Sequence, residues 1–269
     1  MILKFLGFVL LAYIAGGIYL YFIQDKKVFQ KQYAKLYKPV NAKKIYFITS
    51  DDIKLEGAYL ENTKNVPLVL YFGGNANNVI EFIDKIGINI KSFNFIGFNY
   101  PGYAGSEGNP CEKCILKYAL EIYDKYKPDF LMGRSLGTAV AGYVASRRNV
   151  KGVVLITPFD SIENIAKRKY PIYPISFLLK HKFKEYEFIS STKVPVVVIA
   201  LKNDDVIPDE SLENLLKHIK NLKNLFLIEG VKHGFIYEHP KIIDIITKSL
   251  NKLKGLYKDK ITRNKVIIN

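Results

Sequence analysis

The chain has 269 residues, 49% of them hydrophobic and 24% charged, with a formal net charge of +15. That balance excludes a disordered chain, and the lack of low-complexity runs or a fixed-period repeat excludes solenoids and propellers. The lysines are scattered along the whole length and accompany no nucleic-acid-binding motif, so the charge implies attraction to anionic surfaces and no nucleic-acid partner.

Phe5 to Ile23 is unbroken by charge and close to the roughly 20 residues that cross a hydrocarbon core as helix. A cleaved signal peptide would have a shorter apolar region and a small-residue cleavage site, and Tyr19-Leu20-Tyr21-Phe22-Ile23-Gln24 is not one. Residues 1–24 are therefore expected to form a transmembrane anchor and residues 25–42 a charged, aromatic juxtamembrane connector. Residues 43–254 would form the main globular domain and residues 255–269 a basic tail. Only Lys4 and the amino terminus precede the apolar stretch, whereas Lys26, Lys27, Lys31, Lys35 and Lys38 follow it. The positive-inside rule then places the body of the protein on the cytoplasmic side.

Lys44 to Thr49 and Lys54 to Leu60 alternate apolar and polar residues around Ser50-Asp51-Asp52, which predicts an antiparallel hairpin at a sheet edge. Thereafter apolar runs of buried-strand type alternate with helical patterns. The strands are Leu68 to Phe72, Phe93 to Asn99, Asp129 to Met132, Val150 to Ile156, Val194 to Ala200 and Leu225 to Ile228. The alternation predicts an α/β domain with a mostly parallel sheet of about eight strands covered by helices on both faces. Reactive residues in such sheets lie at the carboxyl ends of the strands.

Gly133-Arg134-Ser135-Leu136-Gly137 has the form G-x-S-x-G between a strand and a small-residue helix, and it presents Ser135 as a nucleophile. A serine hydroxyl needs a base within hydrogen-bond reach and a carboxylate to orient that base. Of the four histidines, His181 lies in a lysine-rich stretch, His218 on the polar side of a helix, and His239 beside Pro240. His233 follows the last strand and is the base by position. The acid comes from a strand end between Ser135 and His233. Asp204 is preferred, Asp205 is its competitor, and Asp160 is a distant third. The backbone N–H groups of Leu136 and Asn75 are candidates for an oxyanion hole, with Gly73 and Gly74 allowing close backbone approach.

These motifs resemble the α/β-hydrolase superfamily, and more closely its small, N-terminally anchored serine hydrolases. The resemblance runs from about Ile45 to Leu253. Gly73-Gly74-Asn75-Ala76-Asn77-Asn78 aligns with the family's His-Gly-Asn-Ala-Gly-Asn, and Tyr100 to Gly108 with its Tyr-Arg-Gly-Tyr-Gly-x-Ser-x-Gly. Asp204 to Pro208 matches the family's strand-end Asp, small apolar pair and Pro, which supports Asp204 over Asp205. Gly73 stands in place of the usual histidine and Pro101 in place of the usual arginine, departures that bear on loop packing and substrate shape. The resemblance implies hydrolysis of an ester or thioester on a small molecule, lipid or acylated protein, with no metal or cofactor. A peptidase of the same fold and a non-catalytic membrane-bound scaffold are the alternatives.

Three stretches stand outside this reading. Phe159 to Lys184, with Tyr170-Pro171-Ile172-Tyr173-Pro174-Ile175 inside, is too short for a large lid and suits core packing or an acyl groove. Cys111-Glu112-Lys113-Cys114 cannot complete a four-ligand zinc site and is expected to be two ordinary thiols at a helix start, with a surface disulfide or reactive thiol the alternative. The basic residues from Lys252 to Lys265 read as a solvated tail able to meet anionic headgroups.

Overall fold

The structure, a computed structural model, describes residues 1–265, with side chains described to Tyr257. The side chains of Lys258, Lys260, Arg263 and Lys265, and with them much of the expected basic tail, lie outside the described residues.

Helix α1 (Ile2–Val28) opens the chain. It is the one helix among the described residues long and apolar enough to cross a membrane, and it supports a single-pass anchor. It does not stop where the apolar stretch stops. Gln24, Val28 and Phe29 are buried against the body, so the first residues of the expected connector belong to the packed structure.

Strands β1 (Lys43–Ile48) and β2 (Lys54–Leu60) form the expected hairpin at the sheet edge. The chain then runs β3 (Leu68–Phe72), α2 (Val79–Lys85), β4 (Asn94–Phe98), α3 (Glu112–Tyr126), β5 (Phe130–Arg134), α4 (Leu136–Arg147) and β6 (Gly152–Ile156). Short helices α5 (Ile162–Lys169), α6 (Ile175–Leu178) and α7 (Glu185–Ser190) follow. The chain ends with β7 (Val196–Leu201), α8 (Asp209–His218), β8 (Leu222–Ile228) and α9 (Ile242–Lys265).

The eight strands are ordered β1-β2-β4-β3-β5-β6-β7-β8, antiparallel from β1 to β4 and parallel from there to β8. Alternate residues of each central strand feed two cores. Leu70, Phe72, Leu131, Leu155 and Val198 face one, with α3 and α4, while Val69, Tyr71, Met132, Val154 and Val197 face the other, with α2 and α9. Burial on both faces explains why these strands read as continuous apolar runs. After β3 the chain crosses to β4 on one side, and after α3 it returns to β5 on the other. The crevice at the carboxyl ends of β3 and β5 is thus a topological switch point.

The two cysteines are not free. Cys111 caps α3 and is disulfide-bonded to Cys114 in its first turn, in place of the expected pair of thiols. Their Cα atoms are 5.2 Å apart, because the turn from an extended cap residue into the helix brings positions three apart together.

Candidate active site

Ser135 sits between β5 and α4 with φ 48° and ψ −121°, a conformation that a residue with a side chain holds only when its surroundings force it. The surroundings are close-packed backbone. A Cβ on Gly133 would collide with the Gly137 carbonyl, and one on Gly137 with the Phe72 carbonyl. Helix α4 therefore starts tight against β3, and Leu136, its first residue, has an N–H that no earlier helical carbonyl can accept.

Ser135 Oγ lies 3.0 Å from Nε2 of His233. The other ring nitrogen, Nδ1, is 2.9 Å from Oδ2 and 3.1 Å from Oδ1 of Asp204. An ionised carboxylate only accepts, so Nδ1 carries the proton and Nε2 is left to accept from the serine hydroxyl. Burial raises the Asp204 carboxyl. The His233 ring and the N–H groups of Ile207 and Val206 outweigh that and hold it below the usual carboxylate range. The spatial arrangement of Ser135, His233 and Asp204 is that of a serine-hydrolase triad.

Asp205 is not a bystander. Its Oδ1 accepts the main-chain N–H of His233 at 2.8 Å, so the two neighbouring carboxylates hold the ring and the backbone of one residue. Asp160 is buried elsewhere, bonded to Ser161, Asn164, Ser211 and Asn214 and paired with Arg168. Burial raises its carboxyl, and those donors bring it below the usual range. It joins α5 to α8.

Asn75 and Leu136 line one cavity with Ser135 and His233. The Asn75 carbonyl accepts from the Gln30 N–H at 3.1 Å and the Tyr103 hydroxyl at 3.0 Å, which fixes the loop after β3. The cavity has a volume of about 580 Å³, within the range that holds small ligands. Apolar side chains of its lining come from α1 (Leu20, Ile23) and from the segment between β6 and α7 (Ile165, Ile175, Leu179).

Several residues that shape the site gave no signal in the sequence. Arg134, buried next to the nucleophile, donates from Nη2 to the His233 carbonyl at 2.6 Å and from Nη1 to Asn77, and its guanidinium lies over the Tyr237 ring. Glu185, fully buried, meets the Thr138 hydroxyl at 2.6 Å, and that hydroxyl also donates to the Ser135 carbonyl. Burial pushes the Glu185 carboxyl well above its usual range. His181 is buried, accepting from the Glu112 N–H at Nδ1 and facing Asp25 of α1 through Nε2 at 3.2 Å. Gln24 is bonded on both ends of its amide, to the Leu178 carbonyl and the Lys180 N–H.

The chain is 30% identical over 207 residues to an uncharacterized protein of Mycobacterium tuberculosis, covering 73% of this chain and 72% of that one. The fold is shared with solved structures of Est1E from Butyrivibrio proteoclasticus (TM-score 0.62, 19% identity, 81% of this chain and 99% of that chain) and of the Pyrococcus furiosus esterase Pf2001 (TM-score 0.61, 19% identity, 78% and 92%). The chain belongs to one family with that Mycobacterium tuberculosis protein and has the α/β-hydrolase fold. No family model matches it. Lysophosphatidylserine lipase ABHD12 of Danio rerio is 27% identical over 226 residues, which cover 68% of this chain and 58% of that protein.

Proposed function

We infer that the protein is a membrane-anchored serine hydrolase that cleaves an ester or thioester through an acyl-enzyme. The observation that carries this is the unbroken chain Ser135 Oγ, His233, Asp204 opening on an apolar cavity. In this reading Ser135 Oγ attacks the acyl carbonyl while His233 Nε2 takes its proton. The tetrahedral oxyanion is held by the N–H groups of Leu136 and Asn75, each such donor contributing roughly 10²- to 10³-fold in rate. His233 returns the proton to the leaving alkoxide or thiolate, and water repeats the sequence to free the acid.

Three features support an acyl substrate on a lipid or acylated protein. Much of the cavity lining is aliphatic, part of it belongs to the membrane helix, and Lys27 and Lys169 give it positive charge suited to an anionic headgroup. The naming of the zebrafish relative as a lysophosphatidylserine lipase points the same way. The lysine excess after the anchor favours a cytoplasmic catalytic body, whereas a disulfide is more at home outside reducing compartments. Protease protection in sealed vesicles reads the side directly.

The test is labelling by a fluorophosphonate probe followed by turnover of p-nitrophenyl esters, acyl thioesters and peptide amides of graded chain length. Ser135 is expected to react and Ser135→Ala not to. An unlabelled folded protein beside a reactive control hydrolase would sink the enzyme reading.

A further inference from the structure

We propose that the uncharged segment from Tyr170 to Leu179 is a second membrane element, immersed beside α1, so that the cavity over Ser135 takes its substrate from the lipid phase. The segment reads Tyr-Pro-Ile-Tyr-Pro-Ile-Ser-Phe-Leu-Leu and is bracketed by Lys167, Arg168 and Lys169 on one side and Lys180 and Lys182 on the other. Apolar centre and basic flanks are the pattern of a stretch that enters lipid and stops at the headgroups.

Its contacts lie along the membrane helix. Tyr173 stacks on Tyr13 with ring centroids 4.9 Å apart and packs so closely on Gly16 that a Cβ there would strike its hydroxyl. Tyr13 is ten positions before Ile23, the end of the apolar stretch, which is about 15 Å along a helix axis. Wherever the second half of α1 lies in lipid, this segment lies there with it. Ile172 and Phe177, 69% and 90% exposed, then face hydrocarbon in place of water.

Irregular backbone in lipid needs its polar groups paired, and many of this segment's are. The Tyr13 hydroxyl donates to the Ile172 carbonyl at 2.9 Å, and the Gln24 amide to the Leu178 carbonyl at 3.0 Å. The amides of Tyr173, Ile175, Phe177, Leu178 and Leu179 bond within the segment, Pro171 and Pro174 have no N–H, and the Ser176 hydroxyl donates to Glu163. In water none of these pairings would be required of so exposed a loop. The inner side of the same segment, Ile175 and Leu179, walls the cavity together with Leu20 and Ile23 of α1. The lipid-facing and substrate-facing surfaces are therefore two sides of one short stretch.

The chain contains no tryptophan, so a single introduced indole reports its own surroundings. Full-length Phe177→Trp and, as an exposed site on the sheet edge, Tyr46→Trp are reconstituted in phosphatidylcholine vesicles with and without bromine on the acyl chains. Phe177→Trp is expected to emit at shorter wavelength, lose most of its emission to brominated lipid and resist aqueous acrylamide, with Tyr46→Trp behaving oppositely. Acrylamide quenching of Phe177→Trp as strong as that of Tyr46→Trp, with no effect of bromine, would overturn the proposal, whichever soluble face or partner the segment then served. This measurement needs no activity and so stands or falls apart from the hydrolase reading. A second arm does rest on that reading. Ile172→Asp combined with Phe177→Asp is expected to lower turnover of an ester dissolved in the vesicles by roughly tenfold or more, with a short water-soluble ester turned over as before. Equal turnover of the vesicle-borne ester would count against lipid-side entry, and failure of the unmutated protein on both esters would count against the hydrolase reading alone.

Discussion

The guanidinium of Arg134 donates to the main-chain carbonyl of His233 at 2.6 Å, so the residue before the nucleophile holds the loop that carries its base. Through Asn77 it also reaches the loop after β3. Arg134→Met is expected to lower kcat by about 10²-fold with little change in KM, the signature of a displaced catalytic group rather than lost substrate binding. Arg134→Lys should recover part of the loss. Steady-state kinetics on a short ester check both, and an unchanged kcat would remove Arg134 from the positioning role.

Asp204 and Asp205 hold different parts of His233 and should separate on mutation. Asp204→Asn, which leaves the ring without its acceptor, is expected to lower kcat by about 10⁴-fold. Asp205→Asn, which weakens one bond to the backbone, should cost roughly tenfold. The same kinetics decide it, and the reverse order would exchange their roles.

Glu185 couples stability to pH. The one hydroxyl proton of Thr138 cannot serve both the Ser135 carbonyl and Glu185, which fits a Glu185 carboxyl raised by burial that donates its own proton. A carboxyl raised in the folded state lowers stability once the pH passes its ordinary value of 4.5 and the unfolded chain ionises first. Glu185→Gln keeps a donor and removes the ionisation, so its melting temperature should gain on the unmutated protein as pH rises. Parallel melting curves across about pH 5 to 9 would contradict this.

Narrowing the cavity should shorten the accepted acyl chain. Ile165 and Leu179 line the cavity, and Ile165→Trp or Leu179→Trp is expected to lower kcat/KM for long acyl esters at least tenfold while acetate esters are spared. A chain-length profile on p-nitrophenyl esters gives the answer. Uniform loss across all lengths would mean the acyl group lies elsewhere.

The sheet was readable because strands buried on both faces are short apolar runs ended by Gly, Asn and Asp. Those same turn residues marked the strand ends that bring Ser135, Asp204 and His233 together. What escaped was pairing between segments far apart in sequence. Asp25 and His181 are separated by 156 residues, and nothing near either announces the other. Val28 and Phe29 were hidden among lysines, so a stretch with a buried stripe read as a solvated connector. Arg134 and Glu185 look like ordinary surface charges until the fold supplies the carbonyl or hydroxyl each one meets. The cysteines were misjudged because three-residue spacing alone does not tell a bridge from two thiols.

Gln24 couples the biogenesis of the protein to its cavity. Its amide ties the end of the membrane helix to Leu178 and Lys180, residues made more than 150 positions later, and the neighbouring Leu20 and Ile23 form a wall of the cavity. The end of the membrane helix thus waits for a segment synthesised much later before these contacts close. A molecule whose helix missed the bilayer, or was trimmed away, would fold with one side of its cavity open, so insertion and a complete substrate chamber are achieved together.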